Sequence, residues 1–412
     1  MQWLKEIPSH WEERKMKYCF SERSEKNHPD EPILCATQSQ GVIPQSMYAN
    51  RVVVVNKGFE GLKLVKEGDF VISLRSFEGG IEYAYYQGII SAAYTVLQPN
   101  SSSFSNYWKI LFKSHPFIQL LQTCVTGIRE GQNINYSMLC RAFLPLPPLS
   151  EQKQIVRYLE DKTSKIDAYV SEKEKEILLL QELKQKTIAD AVTKGLNLDV
   201  KMKDSSSLIS TFCPASWKIV RNKSFMSLTG VKVGNRADEY VLLSLTTKGI
   251  IVRDLESGKG KFPKDFDTYQ FVRKGELVFC LFDIDETPRT VGLVDTEGML
   301  TGAYTALKVN TEIALPEYIY NYYLCVDNIK ALKPYYSGLR KTVRADKFLQ
   351  IYIPLPPLDE QRAIVSYIEE KCQKIDSLTT ELQSEIDYLK EYKQRLIADC
   401  VTGQINVQKE VT

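Results

Sequence analysis

The stretch LPLPPLSEQKQIV occupies Leu144–Val156, and a nearly identical stretch, IPLPPLDEQRAIV, occupies Ile353–Val365. Proline fixes the backbone φ angle and lacks an amide donor, so each PLPP run is expected to end one element and turn the chain. Aligned without gaps, residues 145–193 and 354–402 share 27 identical residues out of 49. The repeated corner therefore marks a repeated architecture within one chain of 412 residues.

Each corner leads into a segment that the pattern predicts to be one long helix. Acidic residues follow the double proline, as is common at helix starts. Neither Gly nor Pro then recurs before Gly195 in the first copy and Gly403 in the second, and both glycines fit helix stops. About 43 helical residues would span roughly 65 Å.

The isoleucines of the two segments recur every eleven residues. They are Ile155, Ile166, Ile177, Ile188, Ile364, Ile375, Ile386 and Ile397. An eleven-residue repeat corresponds to about 3.67 residues per turn, which favours a nearly straight or slightly right-handed pairing of helices. We interpret this stripe as the surface along which the two helices pair. The alternative is that each helix packs separately on its own globular domain.

The segments that precede the repeats echo one another only faintly, and their pattern predicts mixed α/β domains. GDFVISL at Gly68–Leu74 is echoed by GELVFCL at Gly275–Leu281. Alternating apolar residues predict strands. The predicted strands are Val52–Val55, Asp69–Leu74, Ile89–Leu97, Tyr240–Leu245, Leu277–Phe282 and Val291–Asp295, and the predicted short helices are Tyr107–Thr123 and Pro316–Lys330.

These patterns divide the chain into four segments. Residues 1–148 and 201–357 form the two variable domains, residues 149–200 a central long helix and linker, and residues 358–412 a C-terminal long helix. The stretch Val200–Ser210 is interpreted as a polar linker into the second copy. The predicted fold class is α+β, with two mixed α/β domains separated by two long helices in an internal repeat.

Composition and motifs favour a binding protein. Net charge is +2, and the two variable domains carry the positive excess, which is a modest hint of a polyanionic partner. The nine scattered cysteines and the absence of a signal peptide or long apolar run indicate a cytoplasmic protein with reduced thiols. The sequence has no GxxxxGK[ST] loop, no HExxH and only three histidines, so no metal site and no catalytic residue is predicted.

The two PLPPL-[SD]-EQ corners, with helices closed by IADAVT and IADCVT, resemble the specificity subunit of type I restriction–modification enzymes. The resemblance covers essentially the whole chain. GDFVISLRSFEGGIEYA at Gly68–Ala84 and FDIDETPRTVG at Phe282–Gly292 look like two versions of that family's target-recognition domain.

The resemblance implies a DNA-binding restriction-system subunit with defined partners. Each target-recognition domain would read one half of a bipartite double-stranded DNA site, and the helices would pair as an antiparallel coiled coil that sets the unread spacer. Two methyltransferase subunits would dock on the repeated segments, and restriction/translocase subunits would join that complex. S-adenosylmethionine, ATP and Mg²⁺ would belong to those partners, and this chain would bind no cofactor of its own.

Glycine-flanked loops with Arg, Lys, Ser, Asn or Gln are the places where DNA contacts are expected. The DNA-binding candidates are Arg75, Ser76, Gly79, Gly80, Arg129, Gln132, Asn133, Lys259, Lys261, Lys264, Arg289, Arg340, Lys341 and Arg344. Each has an alternative: Arg75 as a structural residue that ends a strand, and the Ser257–Lys264 loop as a solvated basic hairpin. Gly-[Ile/Leu]-Arg recurs at residues 127–129 and 338–340, which favours phosphate contact or scaffold over base reading, since a base reader should differ between domains.

Identical charged and amide residues lie off the isoleucine stripe, and they exceed what packing alone requires. They are Lys165, Asp167, Lys184, Gln185 and Asp190 in the first copy, and Lys374, Asp376, Lys393, Gln394 and Asp399 in the second. Within one chain this sameness predicts that the same partner binds twice. The alternative is an ordinary solvated helix face.

Two other classes of function remain open at this stage. The chain could be a non-catalytic coiled-coil adaptor that joins two protein-binding domains, or an enzyme that acts on nucleic acid by itself. Binding of duplex DNA with a steep salt dependence separates the DNA-recognition hypothesis from the adaptor.

Overall fold

The computed structural model describes the chain except residues 1, 2, 5, 50–57, 101–104, 128–132, 198, 206, 254–265, 267, 411 and 412. The predicted strand at Val52–Val55 lies outside the described residues. The chain divides into two compact units: unit 1 comprises Met1–Glu174 with Gln383–Thr412, and unit 2 comprises Lys175–Leu382. Each unit therefore contains one variable domain and a part of both long helices. We call residues 1–148 the first domain and residues 201–357 the second domain.

The first half of the chain contains short strands followed by one long helix. Its strands are β1 (Glu12–Lys15), β2 (Phe20–Arg23), β3 (Leu34–Thr37), β4 (Gly41–Pro44), β5 (Lys63–Val65), β6 (Phe70–Ile72), β7 (Glu82–Tyr83), β8 (Gly88–Ile90), β9 (Thr95–Pro99), β10 (Val125–Thr126), β11 (Asn133–Ile134) and β12 (Phe143–Leu146). Its helices are α1 (Met16–Cys19), α2 (Ser76–Gly79), α3 (Ser105–Leu111), α4 (His115–Thr123), α5 (Tyr136–Leu139) and α6 (Leu149–Lys194).

The second half repeats this plan. Its strands are β13 (Met202–Asp204), β14 (Phe212–Pro214), β15 (Lys218–Arg221), β16 (Met226–Leu228), β17 (Val231–Lys232), β18 (Leu243–Thr246), β19 (Gly249–Val252), β20 (Gln270–Val272), β21 (Leu277–Phe279), β22 (Val291–Leu293), β23 (Gly298–Leu300), β24 (Thr305–Val309) and β25 (Tyr352–Leu355). Its helices are α7 (Pro316–Asn328), α8 (Ala345–Gln350), α9 (Leu358–Val401) and α10 (Val407–Glu410).

The two domains have the same sheet order despite their different sequences. The first domain contains an antiparallel sheet in the order β2-β9-β6-β7, and the second contains β16-β24-β21-β22. A two-stranded ladder joins the start of each domain to its PLPP corner, β1 with β12 and β15 with β25. Each domain also contains a hairpin with a short tip, β3-β4 in the first domain and β18-β19 in the second. The faint echo GDFVISL/GELVFCL therefore marks equivalent central strands, β6 and β21.

Aromatic side chains fill the cores beneath these sheets. In the first domain the Phe70 ring of β6 packs edge-on against Phe112, with ring centroids 5.2 Å apart. In the second domain Phe279 of β21 packs in the same manner against Tyr323 of α7, at 5.1 Å. All four rings are almost completely buried. Phe70 is the first residue of β6, and Phe279 is the last residue of β21, two positions beyond Leu277, the equivalent of Phe70. Residues two positions apart on a strand share a face, so the same face of the central strand carries the aromatic anchor in both domains.

Three predicted elements differ from the structure. The predicted strand Ile89–Leu97 is two strands, β8 and β9, because a turn closed by the Tyr94 amide and the Ser91 carbonyl (3.1 Å) moves the chain to another sheet. The predicted helix Tyr107–Thr123 is two helices, and Pro116 in the first turn of α4 marks the restart, because proline has no amide for a continuing helix. The predicted linker Val200–Ser210 contains β13, which pairs with β14.

The long helices have the predicted bounds. Helix α6 is continuous over 46 residues and α9 over 44 residues. Gly195 and Gly403 have positive φ angles of 71° and 76°, the left-handed conformation that follows many helix ends and that glycine adopts without steric cost. The two stop predictions are confirmed.

Helices α6 and α9 pack together antiparallel through polar pairs that cross between them. In unit 1, Asp167 bonds to Lys393 at 2.6 Å, and Glu174, farther along α6, pairs with Lys390 at 3.1 Å. In unit 2, Lys184 bonds to Asp376 at 2.6 Å. Residue numbers rise on one helix as they fall on the other, so the pairing is antiparallel, and the predicted fold class is confirmed.

The ends of the two helices share the core of one domain in each unit. Ile155 at the start of α6 and Val401 at the end of α9 lie in the core cluster of the first domain. Ile188 at the end of α6 and Ile364 at the start of α9 lie in that of the second domain. The start of each long helix therefore packs on the domain that precedes it in the chain, and the end of that helix packs on the other domain.

The eight stripe isoleucines consequently have two environments. Ile155, Ile188 and Ile364 are buried in domain cores, and Ile166 and Ile397 pack at the edge of the first-domain core. Ile177, Ile375 and Ile386 belong to neither domain core, in the stretch where the polar pairs cross between the helices. Packing on the domains therefore accounts for five of the eight isoleucines, and helix pairing through the stripe isoleucines stays a prediction.

Candidate nucleic-acid interface

The loop after β6 in the first domain carries four of the predicted DNA contacts. Ser76 is buried, and its Oγ accepts the Ser73 amide at 2.8 Å, which closes the turn. Arg75 projects from the turn with its side chain 77% exposed and pairs with Glu78 at 3.3 Å. Gly80 has φ of 85°, and a Cβ there would lie 2.2 Å from the Phe112 carbonyl oxygen. Among these four residues, Arg75 is the one with a solvent-exposed side chain, held only by an exposed ion pair.

A buried ion pair holds this loop in place. Lys113 donates to Glu82 Oε1 at 2.6 Å, to the Gly79 carbonyl at 2.9 Å and to the Gln38 carbonyl at 3.2 Å. Burial raises the pKa of Glu82 to about 6, although the nearby Lys113 ammonium opposes the shift. One lysine therefore joins the loop after β6 to the tip of the β3-β4 hairpin.

The equivalent loop of the second domain follows β21 and is braced from α7. Asp327 is almost completely buried, and it accepts hydrogen bonds from the Thr290 hydroxyl at 2.6 Å, from Lys330 at 2.7 Å and from Arg289 at 3.2 Å. The Arg289 side chain is only 19% exposed and also bonds to Asn328. These contacts give the predicted DNA contact Arg289 a structural role in holding its own loop.

The predicted contacts Arg340 and Lys341 lie in a turn closed by a bridge between Ser337 and Thr342, which packs on the same loop, and Arg344 follows it at the start of α8. Lys341 bonds to Asp285 at 3.1 Å, and this hydrogen bond, together with the Lys333 ammonium, lowers the pKa of Asp285. The Asp283 amide donates to the Arg340 carbonyl at 2.9 Å, so the backbone is held while the Arg340 side chain stays exposed. Arg344 is exposed and pairs with Asp346 at 3.1 Å.

Several candidates lie elsewhere. Asn133 is exposed in β11, opposite Thr126 of β10. The predicted contacts outside the described residues are Arg129, Gln132, Lys259, Lys261 and Lys264. The DNA-binding role of all fourteen candidates stays a prediction.

A junction that the sequence did not predict recurs in both units, where a domain meets the start of one long helix and the end of the other. In unit 1, Tyr107 of α3 donates its hydroxyl to the Val401 carbonyl at 2.9 Å, and in unit 2, Tyr318 of α7 donates to the Val192 carbonyl at 3.2 Å. Val192 and Val401 are equivalent residues of the repeat. Both tyrosines are fully buried, and burial raises the pKa of each hydroxyl well above its ordinary value. The signal in the sequence was a tyrosine at the same place in two otherwise different domains.

The two junctions differ in the partner of the glutamate that begins each long helix. In unit 2, the Trp217 indole donates to Glu360 at 3.0 Å. In unit 1, Glu151 bonds instead to His10 at 2.8 Å. The indole nitrogen of Trp11, the equivalent of Trp217, is buried and has no hydrogen-bond partner among the residues that the structure describes.

The predicted partner-binding residues of the long helices fall into two groups. Lys184 with Asp376, and Lys393 with Asp167, bond to each other across the helix pair. Their sameness thus has an explanation within the chain, because the internal repeat makes each pair the copy of the other. The rest are exposed or pair along one helix: Lys165 with Asp161, Lys374 with Glu370, Asp190 with Lys194, Asp399 with Arg395, and Gln185 and Gln394 with exposed side chains. Partner binding by these ten residues stays a prediction.

Comparison with known families identifies the chain. Residues 8–179 and 282–388, more than half of the sequence, match the family model for the type I restriction modification DNA specificity domain. The chain belongs to this family. It is a specificity subunit of type I restriction–modification systems, and its work is the recognition of DNA sequence.

Relatives of this specificity subunit are distant in sequence but similar over most of their length. The protein named MjaX specificity subunit of Methanocaldococcus jannaschii is 26% identical over 325 residues, 76% of this chain and 71% of that one. The MjaVIII specificity subunit of the same organism is 23% identical over 363 residues, 84% and 81% of the two chains.

Solved structures share the fold of the specificity subunit. A chain from a study of complex assembly and conformational transition in a type I system superposes with a TM-score of 0.70 at 15% identity, over 97% of this chain and 100% of that chain. The HsdS subunit of Thermoanaerobacter tengcongensis superposes with a TM-score of 0.54, also at 15% identity, over 97% and 99%.

Metal-ligand clusters and membrane-spanning helices are absent from the described residues of the specificity subunit. No group of three or more His, Cys, Asp or Glu side chains among them is arranged to hold a metal ion. No helix among them combines the length and the apolar character that a membrane span requires.

Proposed function

We propose that each domain of this specificity subunit reads one half of a bipartite DNA site, and that the paired helices α6 and α9 set the length of the unread spacer. The observation that carries the proposal is the internal repeat in three dimensions. Two domains with one strand order are held by two equivalent junctions and by two equivalent cross-helix ion pairs. A chain built as two copies of one reader suits a target with two parts.

The domains and the long helices have different roles in this function. Domain loops that differ between the copies select bases, and lysines and arginines around them hold phosphates. Helices that are nearly the same in both copies carry no sequence information. Spacer length then follows from helix length, because each added residue extends a helix by about 1.5 Å.

Two methyltransferase subunits are proposed to dock on the long helices, one on each copy. Leu179 and Leu183 form an exposed apolar pair one turn apart on α6. The equivalent residues of α9, Tyr388 and Tyr392, are exposed as well. An apolar pair that recurs at the same repeat position supports one partner that binds twice, and burial of such side chains is what stabilises most protein interfaces.

The chemistry is proposed to reside in the partners, with restriction/translocase subunits joining the complex in the cytoplasm. S-adenosylmethionine, ATP and Mg²⁺ would be bound by those subunits. This chain would act as a non-catalytic recognition subunit.

The decisive experiment reconstitutes the subunit with the methyltransferase of its own system and maps methylated bases across a genome-sized DNA substrate. We expect a two-part sequence with a fixed gap. Methylation without a bipartite preference contradicts the proposal. A salt titration of DNA binding separates it from the protein-adaptor alternative, since phosphate contacts give affinity a steep salt dependence and an adaptor has none.

A further inference from the structure

The β3-β4 and β18-β19 hairpins occupy the same position in the two domains. The residue before each first strand, Ile33 or Leu242, makes a parallel bridge to the middle of an equivalent strand, at Ile89 of β8 or Met299 of β23. Four residues later each strand reaches a threonine that ends the ladder, Thr37 or Thr246. The hairpins therefore project from corresponding places in the two domains.

The same side-chain latch closes both hairpins. The Thr37 hydroxyl donates to the Gly41 carbonyl at 2.9 Å and accepts the Gln40 amide at 3.0 Å. The Thr246 hydroxyl donates to the Gly249 carbonyl, also at 2.9 Å, and accepts the Lys248 amide at 3.2 Å. Both glycines have positive φ, 73° for Gly41 and 99° for Gly249. The latch holds the backbone of each tip in a defined conformation.

The residues between the threonine and the glycine are different and exposed. The first tip is Gln38-Ser39-Gln40 and the second is Thr247-Lys248, and all five side chains are exposed. Each tip thus has a common support and an individual set of hydrogen-bonding groups. Two domains that read different bases require reading elements with the same backbone support and different side chains. The repeated Gly-[Ile/Leu]-Arg loops lack this property, because their arginine is the same in both domains.

Other contacts place the first tip beside the predicted DNA-binding loop. Lys113 bonds to the carbonyls of both Gln38 and Gly79, and a Cβ on Gly79 would lie 3.0 Å from the Gln38 side chain. Gln38 Nε2 is 3.5 Å from Glu78 Oε2. The exposed Arg75 guanidinium belongs to this same loop, so a cation and two glutamine amides project from neighbouring elements.

We propose that these two hairpin tips are base-reading elements that enter the major groove, one in each half-site. The inference rests on the proposed bipartite function and assigns residues to it. A two-stranded ribbon fits the major groove of B-DNA. There glutamine can bond bidentately to adenine, and lysine can bond to guanine O6 and N7. The threonine hydroxyl can bond to either base, and its methyl group can contact the thymine methyl. The first tip therefore selects adenine-containing positions, and the second contributes guanine selection through Lys248.

The test selects preferred sites from DNA with both half-sites randomised, using the complex with the methyltransferase subunits. Gln38→Ala with Gln40→Ala is expected to lower discrimination at positions in one half-site by about 10- to 100-fold and to leave the other half-site unchanged. Thr247→Ala with Lys248→Ala is expected to do the same to the opposite half-site. Gln38→Glu keeps the size of the side chain and removes its amide donor, so it reproduces the first effect without loss of surface.

The repeat supplies matched controls. Gln98 of β9 and Lys308 of β24 are exposed, occupy equivalent strand positions and have the same side-chain types as the tips. Gln98→Ala and Lys308→Ala are expected to leave both half-sites unchanged.

Two results would overturn the inference, and both differ from failure of the proposed function. If the wild-type complex selects a bipartite site and the tip variants select the same one, the tips are not readers. If Lys248→Ala weakens binding uniformly for all sequences and lowers the salt slope by about one, Lys248 contacts phosphate instead of a base. A wild-type complex with no bipartite preference would instead refute the function on which the inference depends.

Discussion

The two domains of this specificity subunit share a strand order but stabilise their equivalent loops with different buried charges. In the first domain, Glu82 of β7 pairs with Lys113, whereas the residue that replaces Glu82 in β22 of the second domain is Gly292, and Ile250 packs there instead. The second domain places its buried carboxylate, Asp327, on α7. The comparison indicates that the sheet ladder is the common element and that each domain stabilises its loops separately.

The largest effect is expected from the buried carboxylate of the second domain. Asp327→Ala leaves Arg289 and Lys330 without their partner in a mostly buried site and should lower the free energy of unfolding of unit 2 by about 3–5 kcal/mol. Urea unfolding, with hydrogen exchange to assign the change to unit 2, measures this loss. Asp346→Ala removes an exposed ion pair and should change stability by no more than about 0.5 kcal/mol. Equal losses of unfolding free energy for the two substitutions would refute the stabilising role of Asp327 in its loop.

The buried carboxylate of the first domain predicts a dependence on pH. The folded pKa of Glu82 is about 6, above its ordinary value of 4.5, so the folded state holds this proton more tightly than the unfolded state. The stabilisation is present below pH 4.5 and is lost as the pH rises through about 6, which amounts to about 2 kcal/mol.

The measurement compares Glu82→Gln, which keeps the neutral form at all pH values, with the wild type. Its free energy of unfolding relative to wild type should rise by about 2 kcal/mol between pH 4.5 and pH 7.5. Glu78→Gln, a change at an exposed residue of the same loop, serves as the control. A difference that does not change with pH would mean that folding does not shift the pKa of Glu82.

The two junctions predict unequal losses for the same substitution. Trp217→Phe removes a hydrogen bond to Glu360, whereas Trp11→Phe removes an indole N–H that has no partner among the described residues. Both changes leave a similar space, so their difference in unfolding free energy isolates the hydrogen bond, at about 1–2 kcal/mol. Thermal unfolding followed by circular dichroism provides the comparison, and equal losses would show that the glutamate contact contributes nothing.

The smallest effects are expected at the two cross-helix ion pairs, which should be equal. Double-mutant cycles to alanine on Lys184 with Asp376, and on Lys393 with Asp167, should each give a coupling energy of about 0.5 kcal/mol, since the carboxylate of each pair is largely exposed to water. Coupling in one pair and none in the other would show that the two ion pairs share their geometry but do not contribute equally to stability.

Much of the fold could be predicted from the sequence. The repeated corner, the bounds of α6 and α9 and the central strands β6 and β21 follow from proline, glycine and apolar periodicity, which are local signals. Predictions failed where a distant partner decides the outcome. Residues 89–97 are mostly apolar, yet they are split between two sheets. The polar stretch at Val200–Ser210 gains a strand by pairing with β14.

The candidate site was predicted less completely than the fold. Exposed Arg75 and Arg340 lie on loops as expected, but Arg289 is engaged with Asp327, and nothing local in the sequence reveals that partner. The hairpin tips were missed because their latch uses a single threonine and glycine, too small a signal to find before the hairpins are seen at equivalent positions.

The sequence by itself determined that the chain contains an internal repeat, that two long helices follow the proline corners, and that the chain resembles a specificity subunit. Periodicity and chain-breaking residues carry that information, because they act over a few neighbouring residues. Tertiary structure alone decided that each domain holds the start of one helix and the end of the other, and which charged side chains are already paired. Those outcomes depend on contacts between residues far apart in the sequence, such as Lys184 with Asp376, 192 positions apart, and Tyr107 with Val401, 294 positions apart. Only the folded chain brings such residues together.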